Sequence, residues 1–282
     1  MYNKKTAKKR AQPAVLCYNK HNCESIKGGI AVATREEQAC TLRGGLTVYT
    51  GGAHRFGTDA FVLSGFAACR RKDIACDLGA GCGIIPLLLL GAESAPAQIY
   101  GLELQPDGVA LMERAVAANG LEGRFLPLQG DLRRLPETLP NAAFDVVTCN
   151  PPYFRPGHGY QSPAEDRRTA RQEDTCTLDD LCAAAAKLLK YGGRLCLCHR
   201  PERLADIFEA MRRRRIEPKR LRMVTQRQGS APWLVLVEGR LGGNPALAIE
   251  ADLVVEHPEG GFSDEMLALY GKTQRVIPPE KR

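Results

Sequence analysis

The chain has 282 residues, of which 44% are hydrophobic and 25% are charged, and its formal net charge is +7. This is an ordinary composition for a globular protein, and the length allows a sizeable core in one large or two small domains. No apolar run reaches the roughly 18 residues of a membrane-spanning helix, and the basic excess favours an acidic partner, nucleic acid first.

The eleven cysteines indicate a reducing compartment. They include no Cys-x-x-Cys pair, and Cys76, Cys149, Cys196 and Cys198 fall in predicted core strands. We interpret them as reduced, buried side chains. The basic N-terminus has no apolar signal-peptide core behind it, so we expect a cytoplasmic protein. No metal site is predicted at Cys196, Cys198 and His199, because on a strand the two cysteines share one face and the histidine lies on the other.

The first 40 residues are the least informative part of the chain. Lysines and an arginine between positions 4 and 10 make this segment basic. It is either a loose, solvated extension or an arm that contacts nucleic acid. We expect a single folded domain over residues 41–270 and a loose tail over residues 271–282.

The folded domain begins with a hairpin-like segment. Gly44-Gly45 and Gly51-Gly52 bracket this segment, Leu46–Tyr49. A largely buried helix is predicted after it, and Thr58 or Asp59 is a suitable N-cap residue.

From residue 74 onward, predicted strands and helices alternate. The strands are expected at residues 74–77, 98–103, 124–128, 144–149, 194–199, 221–226 and 233–238. Helices are expected from residue 84, at 106–119, at 178–189 with a stop at Gly192-Gly193, and at 201–211. A strand and a short helix capped near Ser263 complete the domain. This alternation predicts an α/β fold with a doubly wound, mainly parallel sheet.

A glycine-rich turn, Asp77-Leu78-Gly79-Ala80-Gly81-Cys82-Gly83, joins the first of these strands to a helix. Gly79 and Gly81 permit a tight turn and a close approach of the backbone to a ligand. Asp77 stands where a dinucleotide pyrophosphate would otherwise lie. A carboxylate there repels phosphate and attracts an ammonium group.

Two further carboxylates follow the next two strands. Glu103 lies about 20 residues beyond the glycine turn, in the position that binds ribose hydroxyls. Asp131 can accept a hydrogen bond from an adenine amine. Either residue alone could be a solvated loop carboxylate, but three carboxylates at successive strand ends favour a ligand with an ammonium group, a ribose and an adenine. S-adenosylmethionine is such a ligand.

The tetrapeptide Asn150-Pro151-Pro152-Tyr153 follows the apolar run 144–149. The prolines lack N–H donors and fix φ near −65°, and the residue before a proline is kept out of the helical region. The Asn150 side chain and the neighbouring carbonyl groups are therefore held at the carboxyl end of a buried strand. Open α/β sheets bind their ligands at this edge.

Together, the glycine turn, Glu103, Asp131 and the tetrapeptide resemble the Rossmann-like class I methyltransferases, whose sheet has seven strands. The tetrapeptide is similar to the motif of enzymes that methylate a planar, conjugated nitrogen. The stretches Phe56-Gly57-Thr58-Asp59-Ala60 and His199-Arg200-Pro201-Glu202-Arg203-Leu204 resemble the tRNA adenine-N6 methyltransferases that modify the purine beside the anticodon of a valine tRNA. The resemblance covers residues 41–270.

The resemblance implies a role for each motif. The residues that would bind S-adenosylmethionine are Thr58, Asp59, Asp77, Gly79, Gly81, Gly83, Glu103, Asp131 and Asn150. The Asn150 side-chain oxygen and the Pro151 carbonyl would accept hydrogen bonds from the adenine amine, and Tyr153 would stack on the extruded base. Catalysis would then consist of positioning and electrostatics, with no metal and no covalent enzyme intermediate.

Basic clusters are the sequence signal for an RNA partner, and we expect this RNA to be a tRNA. Arg167, Arg168 and Arg171 follow the tetrapeptide, and Arg212, Arg213, Arg214 and Arg215 form a second run. These arginines either track a phosphate backbone or form a solvated face.

Other functions share the tetrapeptide. A glutamine side-chain amide is also planar and conjugated, so a protein glutamine-N5 methyltransferase is the nearest alternative, followed by ribosomal-RNA guanine-N2 and DNA adenine enzymes. A module that binds the cofactor or RNA without turnover is the alternative from another class. The sequence does not predict an oligomeric state.

Overall fold

The computed structural model describes residues 37–151 and 176–272. A two-stranded sheet of β1 (Gln38–Thr41) and β2 (Thr47–Thr50) precedes a nine-stranded sheet. The strands of the larger sheet are β3 (Ile74–Leu78), β4 (Gln98–Glu103), β5 (Phe125–Gln129), β6 (Phe144–Cys149), β7 (Leu189–His199), β8 (Ile216–Thr225), β9 (Pro232–Leu241), β10 (Ala248–Ile249) and β11 (Leu253–Val254). The helices are α1 (Thr58–Ala67), α2 (Ile84–Leu90), α3 (Pro106–Asn119), α4 (Leu178–Leu188), α5 (Leu204–Arg213) and α6 (Asp264–Leu269).

The larger sheet has the order β10-β8-β9-β7-β6-β3-β4-β5, and β11 also pairs with β8. Strands β3 to β7 pair in parallel, whereas β9 is antiparallel to both of its neighbours. The seven predicted strands are all present, β11 is the strand expected before the last helix, and β10 adds one further short pairing at the edge. The predicted doubly wound, mainly parallel sheet is therefore confirmed. Its order reverses beside β3, so a crevice is expected outside the carboxyl ends of β3 and β6.

Helices cover both faces of this sheet. Successive residues of β3 point to opposite sides: Ala75 packs in the same core as Leu63 of α1, and Cys76 in the same core as Leu181 of α4. Because both faces are buried, the strands are apolar throughout rather than alternating, which explains the continuous runs in the sequence.

The glycines that were predicted to stop a helix lie inside a strand instead. Helix α4 ends at Leu188, and Leu189 already has extended dihedral angles of φ −67° and ψ 139°. The pairing of β6 with β7 then shifts register between Phe144 and Val146. Gly192, with φ of 80°, lies in the extra length of β7. Glycine serves here as part of a bulge rather than as a helix stop.

The predicted hairpin is present, and it starts earlier than expected. Strand β1 begins at Gln38 and pairs antiparallel with β2, so residues assigned to the N-terminal extension belong to the fold. The Asn119 side chain attaches this hairpin to α3. Its Oδ1 accepts from the Thr47 N–H at 2.7 Å, and its Nδ2 donates to the Thr47 carbonyl at 2.7 Å.

The C-terminal helix α6 packs against α1. Ser263 caps α6, as predicted, by accepting the Met266 N–H at 3.3 Å. The Tyr270 hydroxyl lies 3.1 Å from the Thr58 hydroxyl, and its ring centroid is 4.3 Å from that of Phe61. The end of the described chain therefore supports the first turn of α1.

Three expectations from the sequence, on membrane helices, cysteines and metal ligands, can be compared with these residues. None of the described helices combines the length and the apolar character needed to cross a bilayer. The nine cysteines in the described ranges are all free thiols, seven of them buried. Within the same ranges, no three or more His, Cys, Asp or Glu side chains are grouped as metal ligands.

Candidate active site

A groove of about 580 Å³ opens at the carboxyl ends of β3, β4 and β6. Its volume is in the range of small-molecule sites, and its position is the crevice that the sheet order predicts. The residues that line it include Ala53, His54, Leu78, Gly79, Gly81, Glu103, Leu104, Gln105, Asp131, Arg133, Asn150, Pro151, Thr177, His199 and Arg203. The strand-end motifs of the sequence therefore meet in one cavity.

The glycine turn forms the floor of the groove. Gly79, Gly81 and Gly83 have φ values of 72°, 56° and 79°. Gly79 and Gly81 line the groove, and their predicted contact with the cofactor stays a prediction. Gly83 is buried away from it, because a Cβ there would lie 2.8 Å from Met112 Cγ and 2.9 Å from Phe125 Cζ. Gly83 thus permits close packing, and its cofactor contact stays a prediction.

Glu103 is fixed at the end of β4 by two backbone donors. Its side chain is only 7% exposed, and its Oε2 accepts from the Gly81 N–H at 2.8 Å while Oε1 accepts from Gln105 N–H at 2.9 Å. Each oxygen keeps a lone pair for a further donor. A ribose, which offers two adjacent hydroxyl groups, matches this arrangement.

Asp77 lies beneath the turn rather than in the groove lining. It is 1% exposed, and its Oδ1 accepts from the Thr148 hydroxyl at 2.6 Å. Burial raises the pKa of Asp77 to about 7, with Glu103 adding to the rise and the Thr148 hydrogen bond opposing it. The predicted contact with an ammonium group stays a prediction, and the structure adds a role in holding β3 to β6.

Asp131 lies at the groove but already has a partner. Arg133 donates to both of its carboxylate oxygens through Nε and Nη2, at distances of 2.6 to 3.0 Å. The hydrogen bond from Arg133 lowers the pKa of Asp131. An adenine amine would therefore share this carboxylate with a guanidinium group.

Asn150 lines the groove, and its side-chain amide is held at both ends. Its Nδ2 donates to Asp59 Oδ2 at 2.9 Å, and its Oδ1 accepts from Cys198 Sγ at 3.0 Å. The prediction that Thr58 or Asp59 caps α1 is wrong: Gly57 is the N-cap residue, and no side chain caps the helix. The Thr58 side chain contacts Tyr270 and the Asp59 side chain contacts Asn150. Each side chain therefore makes a long-range contact instead of capping its own helix.

Part of the predicted acceptor site lies outside the described residues. Pro151 is described and lines the groove. Pro152, Tyr153, Arg167, Arg168 and Arg171 are not among the described residues. Their roles stay predictions.

The arginine run after α5 carries less free charge than its sequence suggests. Arg212 pairs with Glu217 at 2.7 Å, Arg213 with Glu209, and Arg214 with Asp179. Contact of this run, which includes Arg215, with RNA stays a prediction, and the carboxylates reduce the net charge that it offers to phosphate.

Several groove residues were not singled out from the sequence. His54 is 8% exposed, and its Nε2 is buried without a hydrogen-bond partner. Leu104 is 58% exposed and lines the groove, where it offers an apolar surface to a flat ring. Its position directly after Glu103, at the end of a predicted strand, was the available signal in the sequence.

The donors and acceptors of the groove fit S-adenosylmethionine. Gly79 and Gly81 would leave space for the methionine portion, Glu103 would accept from the ribose hydroxyls, and Leu104 and Asp131 would contact the adenine; all of these residues line the groove, and their contacts stay predictions. Asn150 and Pro151 lie on the remaining side, where an acceptor would meet the methyl group.

Comparisons with solved structures agree with this fold. A predicted O-methyltransferase from Agrobacterium tumefaciens superposes with a TM-score of 0.61 at 21% identity, covering 79% of this chain and 100% of that chain. TYW2 from M. jannaschii, in complex with AdoMet, has a TM-score of 0.50 at 14% identity and covers 75% of this chain and 89% of that chain. These similarities show the fold alone.

Comparisons of sequence are more specific. The family model described as methyltransferase small domain matches residues 41–212. The tRNA1(Val) (adenine(37)-N6)-methyltransferase of Tolumonas auensis is 31% identical over 225 residues, which cover 77% of this chain and 88% of the relative. The protein of the same name from Porphyromonas gingivalis is also 31% identical and covers 76% of this chain and 85% of the relative. The predicted enzyme class, an S-adenosylmethionine-dependent methyltransferase, is confirmed. The chain belongs to the methyltransferase small domain family and, within it, to the family of the tRNA1(Val) (adenine(37)-N6)-methyltransferases.

Proposed function

We propose that the chain transfers a methyl group from S-adenosylmethionine to N6 of an adenine in tRNA, at position 37 of a valine tRNA. The observation that supports this most directly is the placement of Asn150 and Pro151 beside Glu103 and the glycine turn in one groove. The names of the relatives supply the nucleotide and the tRNA. The free thiols agree with a cytoplasmic location, where tRNA is modified.

The acceptor side of the groove suits an exocyclic amine. The lone pair of an adenine amine is delocalised into the ring, which makes the nitrogen a poor nucleophile. Two acceptors aimed at its N–H bonds favour a more tetrahedral nitrogen and free the lone pair. We assign these two acceptor roles to the Asn150 side-chain oxygen and the Pro151 carbonyl, and the presence of both residues in the groove lining supports the assignment.

When bound, S-adenosylmethionine supplies an activated methyl group on a sulfonium centre. The N6 lone pair forms the new N–C bond, and the electrons of the breaking C–S bond remain on sulfur. The proton leaves from the positively charged nitrogen to solvent. Asn150 and Pro151 hold the amine in line for this displacement, so that positioning supplies most of the rate enhancement.

A direct assay tests this function. The chain is incubated with isotopically labelled S-adenosylmethionine and an unmodified valine tRNA transcript, and the nucleosides are then analysed. We expect N6-methyladenosine, and we expect it to disappear when position 37 of the transcript is changed to guanosine. Total protein in a parallel reaction is analysed for N5-methylglutamine. Label in glutamine and none in tRNA would overturn the proposal in favour of the protein-methylating alternative.

A further inference from the structure

The two ends of the Asn150 side-chain amide are held by different elements. Asp59, in the first turn of α1, accepts from Nδ2 at 2.9 Å. Cys198, near the end of β7, donates its thiol proton to Oδ1 at 3.0 Å. Asn150 follows β6, which pairs with β7 on one side, while α1 packs above. The amide is thus clamped between two partners distant in sequence.

The chemistry of the partners allows only one orientation of this amide. An ionised carboxylate accepts hydrogen bonds and donates none, so Asp59 requires the NH₂ group. Cys198 is fully buried, and burial raises its pKa well above the ordinary value, so it is a neutral thiol that can donate. The reversed amide would place Oδ1 against the carboxylate and leave the thiol without an acceptor.

We infer that Asp59 and Cys198 are positioning residues, which orient Asn150 so that the second lone pair of Oδ1 is kept for the amine of the methyl acceptor. This inference rests on the proposed function, because it assigns Oδ1 to an N–H group of the substrate. It adds a positioning role for Asp59 to the cofactor contact predicted from the sequence, which stays a prediction, and it gives a role to a buried cysteine.

Exchanging the two side chains separates orientation from any other role of Asp59. In N150D, two carboxyl groups face each other at hydrogen-bond distance, and like charges there disfavour ionisation of one of them. In the double variant D59N/N150D, the amide introduced at position 59 donates to the carboxylate introduced at position 150, which can also accept from Cys198 and from the substrate. We expect kcat to fall about 100-fold in N150D and about tenfold in D59N. The double variant should recover at least about tenfold over N150D.

The cysteine offers a closely matched pair of variants. Cys196 lies on the same strand and the same face as Cys198 and is also fully buried, but its thiol lies near Glu238 rather than Asn150. C198A and C196A therefore each remove one buried sulfur atom from the same hydrophobic core. Only C198A also removes the hydrogen-bond donor to Oδ1 of Asn150. We expect C198A to lower kcat several-fold, C198S to restore it, and C196A to leave it unchanged. Equal kcat values in C198A and C196A would overturn the role of Cys198.

Cofactor binding and folding are measured on the same variants. Calorimetric titration with S-adenosylmethionine should give dissociation constants within about threefold of the wild type, and melting temperatures should show folded proteins. A folded, cofactor-binding double variant that is no more active than N150D would overturn the inference.

A spectroscopic measurement decides the orientation without any substrate. The chain has seven asparagines, so selective ¹⁵N labelling gives few side-chain amide signals. The pair from Asn150 is identified by its absence in N150D. We expect its protons to exchange slowly with solvent in the wild type and in C196A, and rapidly in D59A. Unchanged exchange in D59A would overturn the inference. An inactive wild type with this expected exchange pattern would overturn the proposed function and leave the orientation established.

Discussion

The backbone N–H of Gly81 donates a hydrogen bond of 2.8 Å to Oε2 of Glu103. The glycine turn after β3 is therefore tied directly to the carboxylate at the end of β4. The two features that are predicted to bind the ribose and the methionine portion of the cofactor are therefore held together by a hydrogen bond within the protein.

Removing the Glu103 carboxylate should weaken cofactor binding in a specific way. In E103Q, one of the two carboxylate oxygens becomes an NH₂ group. That group cannot accept a hydrogen bond from the backbone N–H that it faces, whether of Gly81 or of Gln105. We expect the dissociation constant of S-adenosylmethionine to rise at least about tenfold in E103Q and E103A. Calorimetry measures the effect, and E113Q, on the exposed side of α3, is the control. Wild-type affinity in E103A would remove Glu103 from the ribose site.

The absence of a side chain at position 108 should prove necessary for the cofactor site. A Cβ on Gly108 would lie 2.8 Å from Glu103 Cγ, 2.8 Å from the Gly81 carbonyl oxygen and 2.9 Å from His54 Cε1. Alanine normally stabilises a helix interior by about 1 kcal/mol relative to glycine. We expect G108A to do the opposite, with a lower melting temperature and weaker S-adenosylmethionine binding. D107A, at the adjacent exposed position, is the control; a stabilised G108A that binds normally would contradict the packing argument.

Asp77 should give the folded protein a characteristic dependence on pH. Its pKa is raised from 3.8 to about 7, so the folded state holds a proton that the unfolded state releases. The associated stability is complete below pH 3.8 and is lost as pH rises through about 7. The free energy of unfolding of D77N relative to the wild type should therefore increase between pH 4.5 and 8, by at most about 4 kcal/mol. Urea unfolding at both pH values measures this; a constant difference would contradict the raised pKa.

The ion pairs of Arg213 and Arg214 lead to opposite expectations for two double variants, one that removes the arginines and one that removes their carboxylate partners. Arg213 and Arg214 are paired with Glu209 and Asp179, whose side chains are 60% and 39% exposed. If this run contacts phosphate, R213Q/R214Q should weaken binding and reduce the slope of log K against log salt by about two. E209Q/D179N should free the arginines and strengthen binding. Filter binding over a series of salt concentrations measures both variants, and a slope that neither variant alters would identify the run as a solvated face.

The sequence predicted the parts of the fold that depend on local pattern. Strand β6 occupies residues 144–149 as expected, because a strand buried on both faces needs an uninterrupted apolar run. The positions of Gly79, Gly81 and Glu103 followed from the strand ends that precede them. The predicted helix stop at Gly192 was wrong. Glycine occurs in β-bulges as well as at helix ends, and only the register of β6 with β7 distinguishes the two cases.

The contacts that complete the site could not be predicted from local pattern. Asp59 and Asn150 are 91 residues apart, and Cys198 lies 48 residues beyond Asn150. An aspartate in a first helical turn is typical of a capping or dipole interaction, and a cysteine in a buried strand is typical of the core. Both interpretations are reasonable locally, and only the packing of α1 and β7 around β6 reveals the shared partner.

The contact between Tyr270 and Thr58 has a consequence for synthesis on the ribosome. The Tyr270 hydroxyl lies 3.1 Å from Thr58, the neighbour of Asp59, and Tyr270 and Thr58 are 212 positions apart. The glycine turn and β3 to β5 are synthesised long before Tyr270, but they belong to the same sheet as the later strands, and domains generally fold as units. The support behind Asn150 arrives only when α6 has been made. A translation product that ends before Tyr270 would therefore lack a contact on the helix turn that carries Asp59, the partner of Asn150.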